Sequence, residues 1–225
     1  MTISSRPVDL FNDALKRVPV LPLYFVALVP GVWTFWQAVA GQLGADPMRA
    51  LEQALGLWAL RFMLATLAVT PLLRWPGLRL LRFRRMLGLT VFWYALAHLV
   101  VYVVLDRQFY WGAILGDILK RPYIIFGMTA FLALVPMAIT SNNASLMRLG
   151  TIAWRNVHRL AYPAGVLMVL HYLWLVKSWT AEPLAYAAIM AVLLGLRLVT
   201  RGKPKSRRSV RENNSGARNT DAARA

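Results

Sequence analysis

Six apolar runs, separated by short polar or basic stretches, dominate the chain. They cover residues 18–40, 55–73, 86–105, 122–140, 158–176 and 183–199. Each approaches the ~20 residues that an α-helix needs to cross the hydrocarbon core of a bilayer. None shows the ~10-residue alternation of a barrel strand. The pattern predicts an all-α integral membrane protein, a six-transmembrane-helix bundle, with the last run the shortest. Pro122 follows Lys120 and Arg121, and Pro183 follows Glu182. Both suit a first helical turn, where a missing N–H is harmless. Pro163 falls inside the fifth run and is expected to kink it or loosen its first turns.

The polar stretches set orientation. One set of run ends carries Arg6, Lys16, Arg17, Arg74, Arg79, Arg82, Arg84, Arg85, Arg148, Arg155, Arg159 and a basic tail. The other carries only Arg49, Arg107, Lys120, Arg121 and Lys177. The positive-inside rule then predicts that both termini are cytoplasmic. No small-residue cleavage site follows the first run, so it reads as a retained helix. The expected organisation is a cytoplasmic N-terminal segment at 1–17, a six-helix transmembrane domain at 18–200 and a basic cytoplasmic tail at 201–225. The tail is low in hydrophobic residues; it is expected to be disordered and drawn to anionic membrane lipid.

Composition excludes several classes. With 58% hydrophobic and 16% charged residues and a mean hydropathy of +0.50, a soluble domain of 225 residues could not bury its apolar surface. The net charge of +17 lies in loops and tail, which fits membrane orientation and not nucleic acid. The chain has no cysteine, so thiolate haem ligation and cysteine-held iron–sulfur clusters are excluded. No glycine-rich phosphate loop follows a strand, so nicotinamide nucleotides have no ordinary site. Electrons would come from a membrane quinol or from another protein.

The candidate chemistry rests on the three histidines, all at apolar runs: His98, His158 and His171. An imidazole at membrane depth needs a reason to be there. Runs three and five point the same way. His98 stands 12 residues past Met86, and His171 stands 13 past His158. Both lie ~18–20 Å along their helices, nearer the outer face. Two imidazoles facing each other at one level suit the axial ligation of a haem b. The plain alternative is that each hydrogen-bonds a neighbouring helix. The spacing of His158 and His171 leaves room for a second, stacked haem. Its partner position on run three is Arg84, a poor iron ligand but a good partner for propionate or phosphate. At ideal helical pitch His158 is also turned ~140° from His171, a turn that a kink at Pro163 would reduce, so His158 reads equally as a ligand of a second haem or as an interfacial histidine at a helix start.

Arg61 is the one basic residue well inside an apolar run, on the outer half of helix two. It either snorkels or holds a haem propionate. Gly165 either admits a porphyrin or serves helix packing. The tryptophans and tyrosines read mostly as an interfacial belt.

Four stretches carry a resemblance: WALRFMLATLAVTPL, RRMLGLTVFWYALAHLVVY, RPYIIFGMTAFLALVPMAITS and VHRLAYPAGVLMVLHYLWLVK. Over residues 54–198 the chain resembles the haem-binding membrane subunits of bacterial periplasmic methionine sulfoxide reductase systems. These belong to the ferric-reductase-like transmembrane superfamily. All three histidines fall in the matching places. The resemblance implies a six-helix b-type cytochrome of the cell inner membrane. Such a subunit passes electrons to a periplasmic molybdopterin methionine sulfoxide reductase, MsrP, which repairs oxidised proteins. It also implies a link to quinol and, in some members, to FMN and a cytosolic flavin reductase. The chain is therefore expected to be the electron-transfer subunit of an oxidoreductase complex. One alternative is a self-standing transmembrane ferric or quinone reductase. Another is a transporter or structural bundle whose histidines relay protons.

Overall fold

The computed structural model describes residues 7–176 and 180–201. The expected disordered tail beyond Arg201, together with Lys177 and Trp179, lies outside the described residues. Every regular element among the described residues is helical. In chain order they are α1 (Pro7–Arg17), α2 (Val20–Val39), α3 (Pro47–Arg74), α4 (Arg84–Val100), α5 (Trp111–Lys120), α6 (Pro122–Ile139), α7 (Asn143–His158), α8 (Ala161–Leu175) and α9 (Ala181–Arg201). A 3-10 turn, Leu81–Phe83, leads into α4, and a π turn, Val101–Asp106, continues it.

The bundle is built around α3. Asp46 caps this helix by accepting from the Arg49 N–H at 3.1 Å, and Pro47 opens its first turn. It therefore begins two turns before the apolar run at 55–73. Leu51, Ala59, Leu60, Met63 and Leu67 along it are almost fully buried. They meet α2, α4, α8 and α9. By contrast Phe25, Val32, Leu132, Val192 and Leu198 on the surrounding helices are exposed. That inversion suits a lipid solvent, since water would not tolerate so continuous an apolar surface.

Five helical stretches are long and apolar enough to cross a membrane: Val20–Val39, Pro47–Arg74, Leu81–Asp106, Pro122–Ile139 and Ala181–Val199. The remaining apolar run differs from expectation. His158 closes α7 instead of opening the next helix, and α8 has only 15 residues, about 22 Å. Pro163 explains the break. It has no N–H to give the Arg159 carbonyl, and the Tyr162 N–H donates there at 3.1 Å in a tighter turn.

Two other prolines leave helix carbonyls or N–H groups that distant side chains satisfy. Pro71 cannot donate to the Leu67 carbonyl, and the Arg197 guanidinium of α9 donates to it instead. Beside Pro30, the Tyr94 hydroxyl of α4 enters the α2 ladder. It accepts from the Gly31 N–H at 2.9 Å and donates to the Ala27 carbonyl at 2.7 Å.

The ends of the bundle are unlike. At one, Asn12 of α1 donates to the Gly77 carbonyl and accepts from the Arg79 N–H, and Arg85 donates to Asn143 at the start of α7. At the other, the short helix α5 presents Asp117 between Arg107, at 2.7 Å, and Arg121, at 3.1 Å. Neither α1, α5 nor α7 has an apolar run long enough to announce it.

Candidate cofactor site between four helices

Helices α4 and α8 start at the same end of the bundle and rise beside each other's partners, α3 and α6. His98 of α4 and His171 of α8 meet with ring centroids 6.1 Å apart and ring planes at 83°. The His98 Nδ1–H donates to the Glu52 carbonyl of α3 at 2.8 Å. The His171 Nδ1–H donates to the Tyr123 carbonyl of α6 at 2.6 Å. A carbonyl only accepts, so both protons sit on Nδ1 and each Nε2 keeps its lone pair. That tautomer, held by a backbone carbonyl, is the metal-ligating form of histidine.

The separation also fits. Two metal–imidazole bonds of ~2.0 Å plus two ring radii place the centroids about 6.3 Å apart. Among the described residues there is no group of three or more His, Cys, Asp or Glu that could hold a bare ion. Two axial imidazoles suffice only for a metal that brings its own equatorial ligands, as a porphyrin does. Both histidines line one cavity of about 1280 Å³ between α3, α4, α6 and α8, with Leu60, Phe131 and Met168 in its walls. Its volume exceeds the ~300–1000 Å³ of ordinary small-molecule sites. The residues present therefore fit a haem.

The cavity extends to the end of the bundle that carries α5, where Arg49, Arg107 and Arg121 line it with Glu52 and Glu182. The Arg49 guanidinium makes no ion pair or hydrogen bond among the described residues. The Arg107 Nε is buried without an aligned acceptor, although Asp106 Oδ2 is 3.2 Å away.

The other expected site residues lie elsewhere. Arg61 does not line the cavity. Its Nε–H donates to the Tyr186 hydroxyl at 2.8 Å, its Nη2 is 3.6 Å from Glu182, and the guanidinium lies over the Trp58 ring. Arg61 thus ties α3 to α9, because the start of α9 supplies both an acceptor and a charge. His158 sits at the opposite end from His98 and His171. Its Nδ1–H donates to the Trp154 carbonyl at 3.0 Å, its Nε2 is 3.4 Å from the Ser141 hydroxyl, and the ring stacks on Trp154 at 3.8 Å. Burial first, and then the nearby Arg84 guanidinium, hold this imidazole below the usual histidine range. Arg84 opens α4 beside it. The cavity reaches neither residue. Gly165 faces Met190 and Leu67, so it serves helix packing.

Comparison with known proteins bears on this arrangement. Residues 55–169 match the model of the family described as ferric reductase like transmembrane component. The chain belongs to that family. Its matched region includes most of α3, all of α4 and α6 and the first half of α8, and so holds His98 and Tyr123, whose carbonyl accepts from His171; Glu52 and His171 lie just outside it. Relatives from Brucella ovis, Brucella abortus and Brucella suis are each 51% identical over 176 residues, covering 78% of this chain and 80% of theirs. Each is named protein-methionine-sulfoxide reductase heme-binding subunit MsrQ. This family member is a multi-pass membrane protein by its matched family and its apolar helices.

Proposed function

We propose that this chain is the haem-binding membrane subunit of a protein-methionine-sulfoxide reductase system, and that His98 and His171 are the two axial ligands of its haem b. The observation that carries the reading is the pair of imidazoles 6.1 Å apart, each with Nδ1 committed to a helix carbonyl. The names of relatives 51% identical to it support the assignment to that system. A haem in this place supplies a one-electron iron couple. The residues around it do the rest. Helices α3, α4, α6 and α8 hold the imidazoles at one level and keep the walls apolar. Arg49 at the mouth offers its guanidinium to propionates; Arg107 beside it is paired with Asp117, and Arg61 does not line the cavity.

The bundle crosses the bacterial inner membrane six times in this reading, with the short α8 as the fifth span and α9 as the sixth. Both termini are then cytoplasmic, residues 1–17 and the tail from 201 flank the 18–200 domain, and the cavity mouth faces the periplasm. Electrons arrive from quinol, or from a cytosolic flavin reductase through FMN, and leave at the mouth to a molybdopterin catalytic partner of the MsrP type. Any second haem at the inner end would have to draw His158 away from Ser141 and Trp154, with Arg84 in place of a second imidazole.

Reoxidation kinetics test the assignment. The purified chain, reduced by dithionite and mixed with the periplasmic reductase and an oxidised-methionine protein, is expected to show its haem band returning to the oxidised form. Omitting either component should leave it reduced. A band equally stable in all three mixtures contradicts the partnered reading and favours a self-standing reductase.

A further inference from the structure

Each of the two ligand-form histidines is seated against a glycine. A Cβ added to Gly127 of α6 would stand 2.8 Å from His171 Nδ1 and 3.0 Å from its Cε1. A Cβ added to Gly56 of α3 would stand 3.0 Å from His98 Nδ1 and 3.2 Å from its Cε1. The carbonyls that accept from these rings belong to Tyr123 and Glu52, in each case four residues before the glycine. The same device therefore occurs twice, on two helices unrelated by sequence motif.

The physical reason for the spacing is local. A helical side chain leans back over the preceding turn and covers the carbonyl four residues earlier. That carbonyl already accepts one backbone N–H, and its second lone pair is reachable only where the covering side chain is absent. Glycine supplies the absence. Not every helical glycine here does so: a Cβ at Gly88 of α4 or Gly195 of α9 would meet nothing within 4 Å.

We propose that Gly56 and Gly127 are positioning residues that bring each imidazole N–H onto a helix carbonyl and thereby set the electron donation of both axial ligands. The inference rests on the haem reading above. An imidazole that donates a strong hydrogen bond from Nδ1 is a more basic ligand at Nε2, and a more basic ligand favours ferric iron. Weakening the bond should therefore raise the reduction potential. Mere loosening of the site acts the other way. Admitted water stabilises the more charged ferric state and lowers the potential.

The experiment is a redox titration, with electron paramagnetic resonance of the ferric form, on the purified full chain and on Gly56→Ala, Gly127→Ala, Gly88→Ala and Gly195→Ala. The two cradle variants are expected to shift the ferric–ferrous ratio by about ten-fold, or ~60 mV upward for one electron. Their low-spin ferric signals should also move, because the ring planes lose the near-perpendicular setting of 83°. The Gly88 and Gly195 variants should overlay wild type in both. If Gly127→Ala, the tighter site, loses its haem, the milder Gly56→Ala decides. A Gly56→Ala haem at wild-type potential or below overturns the proposal while leaving the haem reading intact. A wild-type chain that purifies without haem removes the haem reading itself, and the cradle with it.

Discussion

At the scale of single residues, the meeting of His98 and His171 was readable from the sequence and the groups that support them were not. His98 and His171 share a depth because two parallel helices climb equally from one face, and counting along each run suffices to find that. The rest of the site depends on which way side chains point across helix interfaces. Arg61 illustrates the limit. Its depth suits a propionate, yet Tyr186 and Glu182 at the start of α9 take its guanidinium. Arg49 and Arg107 lie outside the apolar runs, where they look like ordinary loop charges, and yet they line the cavity. Arg49 and Arg61 can be told apart by potential. Removing a positive charge beside a haem favours the ferric form, so Arg49→Gln should titrate tens of millivolts lower, with ~60 mV corresponding to ~1.4 kcal/mol. Arg61→Gln should shift less, because its hydrogen-bond and ion-pair partners are on α9 and it does not line the cavity. A larger shift for Arg61→Gln than for Arg49→Gln would restore Arg61 to the propionates.

Among the helices, the apolar runs located the spanning elements well where hydrophobicity alone decides. They failed where backbone chemistry decides. The start of α3 is set by an Asp46 cap and Pro47, two turns ahead of its apolar run. The split between α7 and α8 is set by the N–H that Pro163 lacks, which leaves α8 with 15 residues. The amphipathic helices α1, α5 and α7 carry too few apolar residues in sequence to form a run. The short α8 matters for topology. If it spans, α9 returns to the cytoplasm; if it does not, the chain end lies outside. The basic residues at the α1, α4 and α7 end favour spanning. A C-terminal alkaline phosphatase fusion should then be inactive and a C-terminal fluorescent protein fusion bright. The reverse pattern would mean that α8 does not cross.

For the molecule as a whole, the architecture amounts to two antiparallel helix pairs, α3 with α4 and α6 with α8, closing on one cavity. Each pair contributes one imidazole, one carbonyl and one glycine. This internal likeness has no counterpart in a sequence repeat, since only the spacing of a carbonyl and a glycine is shared, and the residues at the carbonyl positions are Glu52 and Tyr123. It also gives the account its most direct test, because a shared cofactor must depend on both pairs equally. The deciding measurement is haem content and redox titration of the purified wild type beside His98→Ala, His171→Ala and His158→Ala. The account predicts that His98→Ala and His171→Ala each lose the same haem, identified by its potential, whereas His158→Ala retains it. A haem of wild-type potential persisting in either His98→Ala or His171→Ala would contradict the ligand pair on which the proposed function stands.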